Sequence, residues 1–170
     1  MNIAIMVFRG TGKTTICKLL AKSLDKQLIL TDEEILRRIK TTIPKNIKRH
    51  GWDKFRDIET DIIERLSSLD DCIFDISGDI VMRNENMINL KKNSIVVLLT
   101  AGLKTIANRL KIKKNKSLLD KYDYVDELKE FFAEREARYK KSADYTIDTS
   151  GLSPEEVCEL VMHYMQLELQ

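Results

Sequence analysis

The stretch from Val7 to Thr14, VFRGTGKT, leaves the rest of the chain the least freedom. It follows Asn2 to Met6, which reads as a buried strand, and opens into TTICKLLAKSL, which reads as a helix. Strand, glycine-bearing turn, Gly-Lys-Thr and helix form the context that a phosphate-binding loop requires. Gly10 and Gly12 let the backbone approach phosphate oxygens, and the helix start offers unpaired N–H groups. Lys13 supplies a point charge and Thr14 a hydroxyl for Mg²⁺. The expected ligand is a nucleoside triphosphate. The full pattern G-x-x-x-x-G-K-[ST] begins with glycine, whereas this chain has Val7 there. A β-branched residue is strained at positive φ, so either the turn keeps Val7 extended or the loop is reshaped.

With 170 residues the chain reads as a single domain able to bury a real core. A formal net charge of +2 is too small to make nucleic acid the main partner. No apolar run has the length of a membrane span, and the first residues enter a strand at once, which points to a cytoplasmic protein without a signal peptide. Cys17, Cys72 and Cys158 are widely spaced and lack a C-x-x-C or histidine pattern, so buried reduced thiols are expected rather than disulfides or zinc.

Further along, Gln27 to Leu30 reads as a second strand, followed by a helix capped by Thr31 and acidic in its first turn. Glu33 to Arg49 is a mixture of helix and turn. A longer helix starts near Gly51, with Trp52, Phe55, Ile58, Ile62 and Leu66 on one apolar stripe and Arg56 and Glu59 off it. By spacing alone that pair reads as a solvated surface contact. Asp71 to Ser77 is a third strand ending at Gly78. In a phosphate-loop fold an acid at the end of a neighbouring strand can hold Mg²⁺ or its water, which makes Asp75 a candidate metal partner beside the reading of an ordinary strand-end aspartate. Helix Met82 to Leu90, strand Ser94 to Leu99 and helix Leu103 to Leu110 continue the alternation, which predicts a parallel sheet covered on both faces. Arg109 and Lys111 to Lys116 form a basic segment that reads as a lid over phosphates or as a solvated loop. In the helix from Val125 to Lys141, Arg135 shares an apolar face with Leu128, Phe132 and Tyr139, and a guanidinium in that register needs an anion. Tyr145 to Asp148 is a fifth strand, and Ser153-Pro154-Glu155-Glu156 starts the closing helix.

Together these motifs resemble the shikimate kinase family, small members of the nucleoside-monophosphate-kinase-like phosphate-loop proteins, over nearly the whole chain. The resemblance rests on GTGKT, on Thr31-Asp32 before a helix, on GWDKFRDIE against the family's G-E-x-x-F-R-x-x-E, on SGDIV against G-G-G-x-V, on KSLL against R-P-L-L, and on ERxxxY at 134 to 139. It implies a three-layer α/β/α phosphate-loop fold on a five-stranded parallel sheet, with a helical substrate-binding region at 31–71 and a lid at 111–124. The implied reaction is phosphorylation of the 3-hydroxyl of shikimate by ATP with Mg²⁺, in a monomer. Asp32 matches the acid that contacts the ring hydroxyls and is the candidate base. Arg56 and Arg135 match the arginines that hold the substrate carboxylate, Glu59 matches the glutamate that positions the first of them, and Gly78 matches the glycine that lets substrate approach the backbone. Gly10, Thr11, Gly12, Lys13, Thr14, Thr15, Arg109 and Lys116 match nucleotide-binding positions, with Lys13 and Lys116 as the catalytic cations.

Several positions depart from the family pattern. Leu30 stands where the family's D-x-D has its first aspartate, which is associated with the Mg²⁺ shell, and leucine cannot ligate. Ser77 and Asp79 replace the outer glycines of the triad, and Lys116 and Ser117 replace the Arg-Pro of the lid. Asp75, or else Asp79, is the candidate to take over the metal role. Two other readings follow from these changes: a non-catalytic module that binds nucleotide or shikimate, and a kinase for another small hydroxylated acid.

Overall fold

The computed structural model describes residues 1–7, 13–102, 104, 105, 108 and 136–170. Strands β1 (Asn2–Val7), β2 (Gln27–Leu30), β3 (Cys72–Asp75), β4 (Ser94–Thr100) and β5 (Tyr145–Asp148) make one sheet in the order β2-β3-β1-β4-β5. Every pairing is parallel. Helices α1 (Lys13–Leu24), α2 (Thr31–Ile39), α3 (Ile43–His50), α4 (Trp52–Ser67), α5 (Asn84–Lys91) and α6 (Pro154–Glu168) surround it, with a 3₁₀ helix at Gly78–Met82.

Buried on both faces, β1 has no polar side to show solvent, which is why it reads as a run rather than an alternation. Its odd residues, Ile3, Ile5 and Val7, join a cluster with Ile16, Cys17 and Leu20 of α1 and Val157, Cys158 and Val161 of α6. Its even residues, Ala4 and Met6, join Phe55, Ile62, Ile63 and Leu66 of α4 and Met87 and Leu90 of α5. The three-layer α/β/α expectation therefore holds. The strand order reverses at β1, so the crevice beyond its C-terminal end, flanked by β3 and β4, is where such a sheet binds ligands.

Val7 lies within β1 with Leu99 as its Cα partner, so its backbone is extended and the branched side chain meets no positive-φ strain. The closing helix starts as expected. Ser153 Oγ accepts from the Glu156 N–H at 3.1 Å, and Glu156 Oε2 accepts from the Ser153 N–H at 2.6 Å, with Pro154 in the first turn.

Three expectations need correction. Thr31 is not the cap of α2: the helix includes it, and the N-cap is Leu30 without a side-chain hydrogen bond. Its fully buried hydroxyl instead donates to the Asp75 carbonyl at 3.0 Å and accepts from the Ser77 N–H at 2.9 Å, stitching the end of β2 to the end of β3. Trp52 does not belong to the core stripe, being 56% exposed, whereas Glu59 is only 2% exposed. The buried face of α4 runs through Phe55, Glu59, Ile62, Ile63 and Leu66, rotated by about one residue from the stripe read in the sequence. The helix expected from Met82 begins at Asn84, because Gly78–Met82 forms its own 3₁₀ turn and Arg83 is extended between the two. The helices expected at Leu103 to Leu110 and Val125 to Lys141 fall largely outside the described residues, although residues 136–142 are helical.

Thr31→Val keeps the shape of that residue and removes both hydrogen bonds, leaving the Asp75 carbonyl, at a buried position, without its donor and the part-buried Ser77 N–H without its acceptor. The expected cost is about 2–3 kcal/mol, since an unmet buried polar group costs about 1–3 kcal/mol. Urea unfolding checks it, as a lower midpoint at an unchanged slope.

Candidate active site

The described part of the phosphate loop is the start of α1. Lys13 opens that helix and places its Nζ 2.6 Å from Asp75 Oδ1, while donating to the Ile76 carbonyl at 2.7 Å. Thr14 Oγ1 donates to the other oxygen, Asp75 Oδ2, at 3.0 Å. The pair is well withdrawn from water, at 16% and 6% side-chain exposure, so removing either partner would leave an uncompensated charge. Asp75 reaches α1 because β3 alternates: Cys72 and Phe74 pack toward α4, while Ile73 packs toward α1, and Asp75 follows Ile73 by two. Its charge is felt one turn into α1. Burial, first, and the Asp75 carboxylate, second, push the Cys17 thiol well up from its ordinary range. Thr15 follows on the exposed side of the same turn.

Asp32 lies in the first turn of α2, immediately after the C-terminal end of β2, exposed and without an ion-pair partner among the described residues. On α4, Arg56 donates to Glu59 Oε2 at 2.6 Å, one helical turn along, with side-chain exposures of 15% and 2%. The Arg56 guanidinium also lies 5.1 Å from the centre of the Trp52 ring and 5.8 Å from that of Phe55. An ion pair on one side and two aromatic rings hold it in one place. The reading of Arg56 and Glu59 as a solvated surface pair is thereby overturned.

Two further arginines brace this arrangement, and neither stood out in the sequence. Arg83 donates to Asp57 Oδ1 at 2.7 Å and to Thr60 Oγ1 and the Asp53 carbonyl, each at 3.4 Å, fastening the 3₁₀ segment to α4. Arg138 donates to the Met82 carbonyl at 2.9 Å, and Tyr139 beside it is buried in the α4 core cluster. Arginines are common on surfaces, and their spacing from α4 in sequence gave no signal. Gly78 opens the 3₁₀ helix, directly after the Ser77 N–H that Thr31 holds.

A cleft of about 670 Å³ elsewhere on the surface, at the α2–α3 corner, is lined by Lys40, Lys45, Lys48, Arg49 and His50 among others and includes none of these side chains. Gly10, Thr11, Gly12, Arg109, Lys116 and Arg135 lie outside the described residues, as do the proposed lid at 111–124 and, with it, the basic segment.

A family model for shikimate kinase matches residues 9–166. The chain belongs to the shikimate kinase family. Two relatives named shikimate kinase, from Caldicellulosiruptor bescii and Thermodesulfovibrio yellowstonii, are each 37% identical over 161 residues, covering 95% of this chain and 93% and 92% of their own. Among solved structures, shikimate kinase from Acinetobacter baumannii in complex with shikimate aligns over 98% of this chain and 93% of its own, at 27% identity and a TM-score of 0.84. Shikimate kinase from Bacteroides thetaiotaomicron has the same TM-score of 0.84 at 21% identity, over 100% of this chain and 99% of its own, which bears on the fold alone. The phosphate-loop, nucleoside-monophosphate-kinase-like architecture is thus that of the shikimate kinase family. No helix among the described residues is long and apolar enough to cross a membrane.

Proposed function

We propose that the chain transfers the γ-phosphoryl group of ATP to the 3-hydroxyl of shikimate. Family membership supplies the reaction, and the observation that carries it to this chain is the Arg56–Glu59 pair, a guanidinium oriented by a buried carboxylate. Planar, fork-shaped donors suit a carboxylate acceptor, and Arg56 with Arg135 would hold that of shikimate. Asp32, at the strand end where the sheet opens, orients the ring hydroxyls and takes the proton of the attacking one. Gly78 lets the ring lie close to the backbone.

On the donor side, the family resemblance gives Gly10, Thr11, Gly12, Lys13 and Thr15 to the triphosphate, Arg109 to the adenine and Lys116 to the γ-phosphoryl group. Phosphoryl transfer needs little covalent help, so these cations work by position and charge. Mg²⁺ would be held by Thr14 and Asp75. A hydroxyl and a carboxylate are the hard oxygen donors it takes, and it is commonly held by one or two carboxylates plus phosphates. When bound, it neutralises the charge that develops on the phosphates.

The test is ADP release from ATP, Mg²⁺ and shikimate in a coupled assay. Turnover that depends on shikimate supports the proposal. Shikimate binding in a calorimeter without turnover would make the chain a binding module instead. Neither binding nor turnover would favour another hydroxylated acid.

A further inference from the structure

Asp75 is a partner of Leu30 in the β2–β3 ladder, Cα to Cα, so the two stand side by side at the same height in the sheet. They also face the same way: Leu28 and Ile73, two residues earlier on each strand, both belong to the cluster beneath α1. Crossing from one to the other moves a side chain by about one strand spacing, ~4.8 Å. A carboxylate missing at Leu30 is therefore present one strand over, on the same face. That carboxylate is engaged on both oxygens, by Lys13 on Oδ1 and by Thr14 on Oδ2.

We propose that Asp75 has two successive partners. Before nucleotide binds it pairs with Lys13, and once phosphates draw Lys13 off, the freed Oδ1 becomes available, with Thr14, to hold the divalent cation. A carboxylate as buried as this one requires a positive partner in each state, and two cations crowded onto it would repel each other. Lys13 on the phosphates and a divalent cation at Asp75 therefore arise together, so nucleotide and metal strengthen each other's binding by the same factor. Asp75 accordingly works against nucleotide binding when metal is absent and in its favour when metal is present. The inference rests on the ATP-binding reading of the loop and adds a sign to it.

Calorimetric titration of ATP, in EDTA and in Mg²⁺, into the wild-type chain, Asp75→Asn and the double variant Leu30→Asp/Asp75→Asn tests this. Wild type should bind ATP at least ~10-fold more tightly with Mg²⁺, within the usual range of such couplings. Asp75→Asn should bind metal-free ATP more tightly than wild type, and Mg²⁺ should then change its affinity by about twofold or less. The double variant, with its carboxylate moved to β2 beside position 75, should recover the Mg²⁺ enhancement. Retention of the full enhancement in Asp75→Asn, or metal-free ATP binding no tighter than wild type, would overturn the proposal, as would a double variant that stays insensitive to Mg²⁺. A second probe does not depend on folding of the Asn variant: Lys13→Met should bind Mn²⁺ without nucleotide more tightly than wild type by electron paramagnetic resonance, and unchanged Mn²⁺ affinity counts against the proposal. Failure of wild type to bind ATP under either condition would remove the kinase reading itself, whereas ATP binding with unresponsive variants removes only this inference.

Discussion

Replacing Asp32 by Asn is expected to lower kcat for shikimate by about 10²-fold or more, while the KM for ATP stays within about twofold; removal of a positioned general base costs about 10²–10⁴-fold. The lower end of that range applies because the transferred group passes through a loose transition state in which little proton transfer is needed early. Asn retains the shape of Asp32 and can still hydrogen-bond a ring hydroxyl, so shikimate KM should move much less than kcat. Asp32 is exposed and free of an ion-pair partner among the described residues, so its substitution should cost only the share of an acid in a helix's first turn, about 0.3–1 kcal/mol. The measurement is a steady-state ADP-release assay at saturating ATP. A kcat within a few-fold of wild type would reduce Asp32 to a hydroxyl-orienting group.

Arg56→Ala should do the converse, raising the KM for shikimate by roughly 30- to 10³-fold, the equivalent of about 2–4 kcal/mol for truncating one member of a desolvated charge pair. The KM for ATP should change little. Interpretation needs a control, because the same change takes the Arg56 guanidinium from Glu59, which is 2% exposed, and breaking a buried pair costs about 3–5 kcal/mol of stability. Arg56→Lys separates the two effects. It leaves a cation near Glu59 while losing the fork that grips a carboxylate, so shikimate KM should rise with the unfolding midpoint largely kept. Arg135→Ala should raise the KM for shikimate far more than that for ATP, and its effect should combine non-additively with Arg56→Ala if both bind one carboxylate. Equal effects on both substrates would argue against these assignments.

Much of this architecture was legible in the sequence because its signals are local. The run at β1, the cap and acidic turn at Ser153, and the glycine-lysine-threonine at the start of α1 each specify their own geometry within a few residues. Where the reading slipped, a tertiary contact had taken over a side chain with a local meaning. Thr31 has the residue type and position of a cap, yet its hydroxyl bonds across strands to Asp75 and Ser77, more than forty residues away. Glu59 illustrates the reverse. It stands four after Phe55 and three before Ile62, in the apolar register, which is the same signal that singled out Arg135, but the exposed Trp52 drew the stripe off by a residue. Asp75 was a candidate from its strand end alone. Its adjacency to Leu30 required the β2–β3 register, which depends on how two distant segments pair.

Trp52 is the single tryptophan of the chain, and its half-exposed indole lies 5.1 Å from the guanidinium of Arg56 at the N-terminal end of α4. An indole so placed is an optical gauge of the acceptor pocket. Neutralising that guanidinium with a carboxylate alters the field at the ring, so shikimate should change the emission of the unlabelled chain in a saturable way, while ATP alone leaves it nearly constant. The acceptor affinity can then be read by titration in a fluorimeter, apart from turnover, in every variant that retains Trp52 and Arg56.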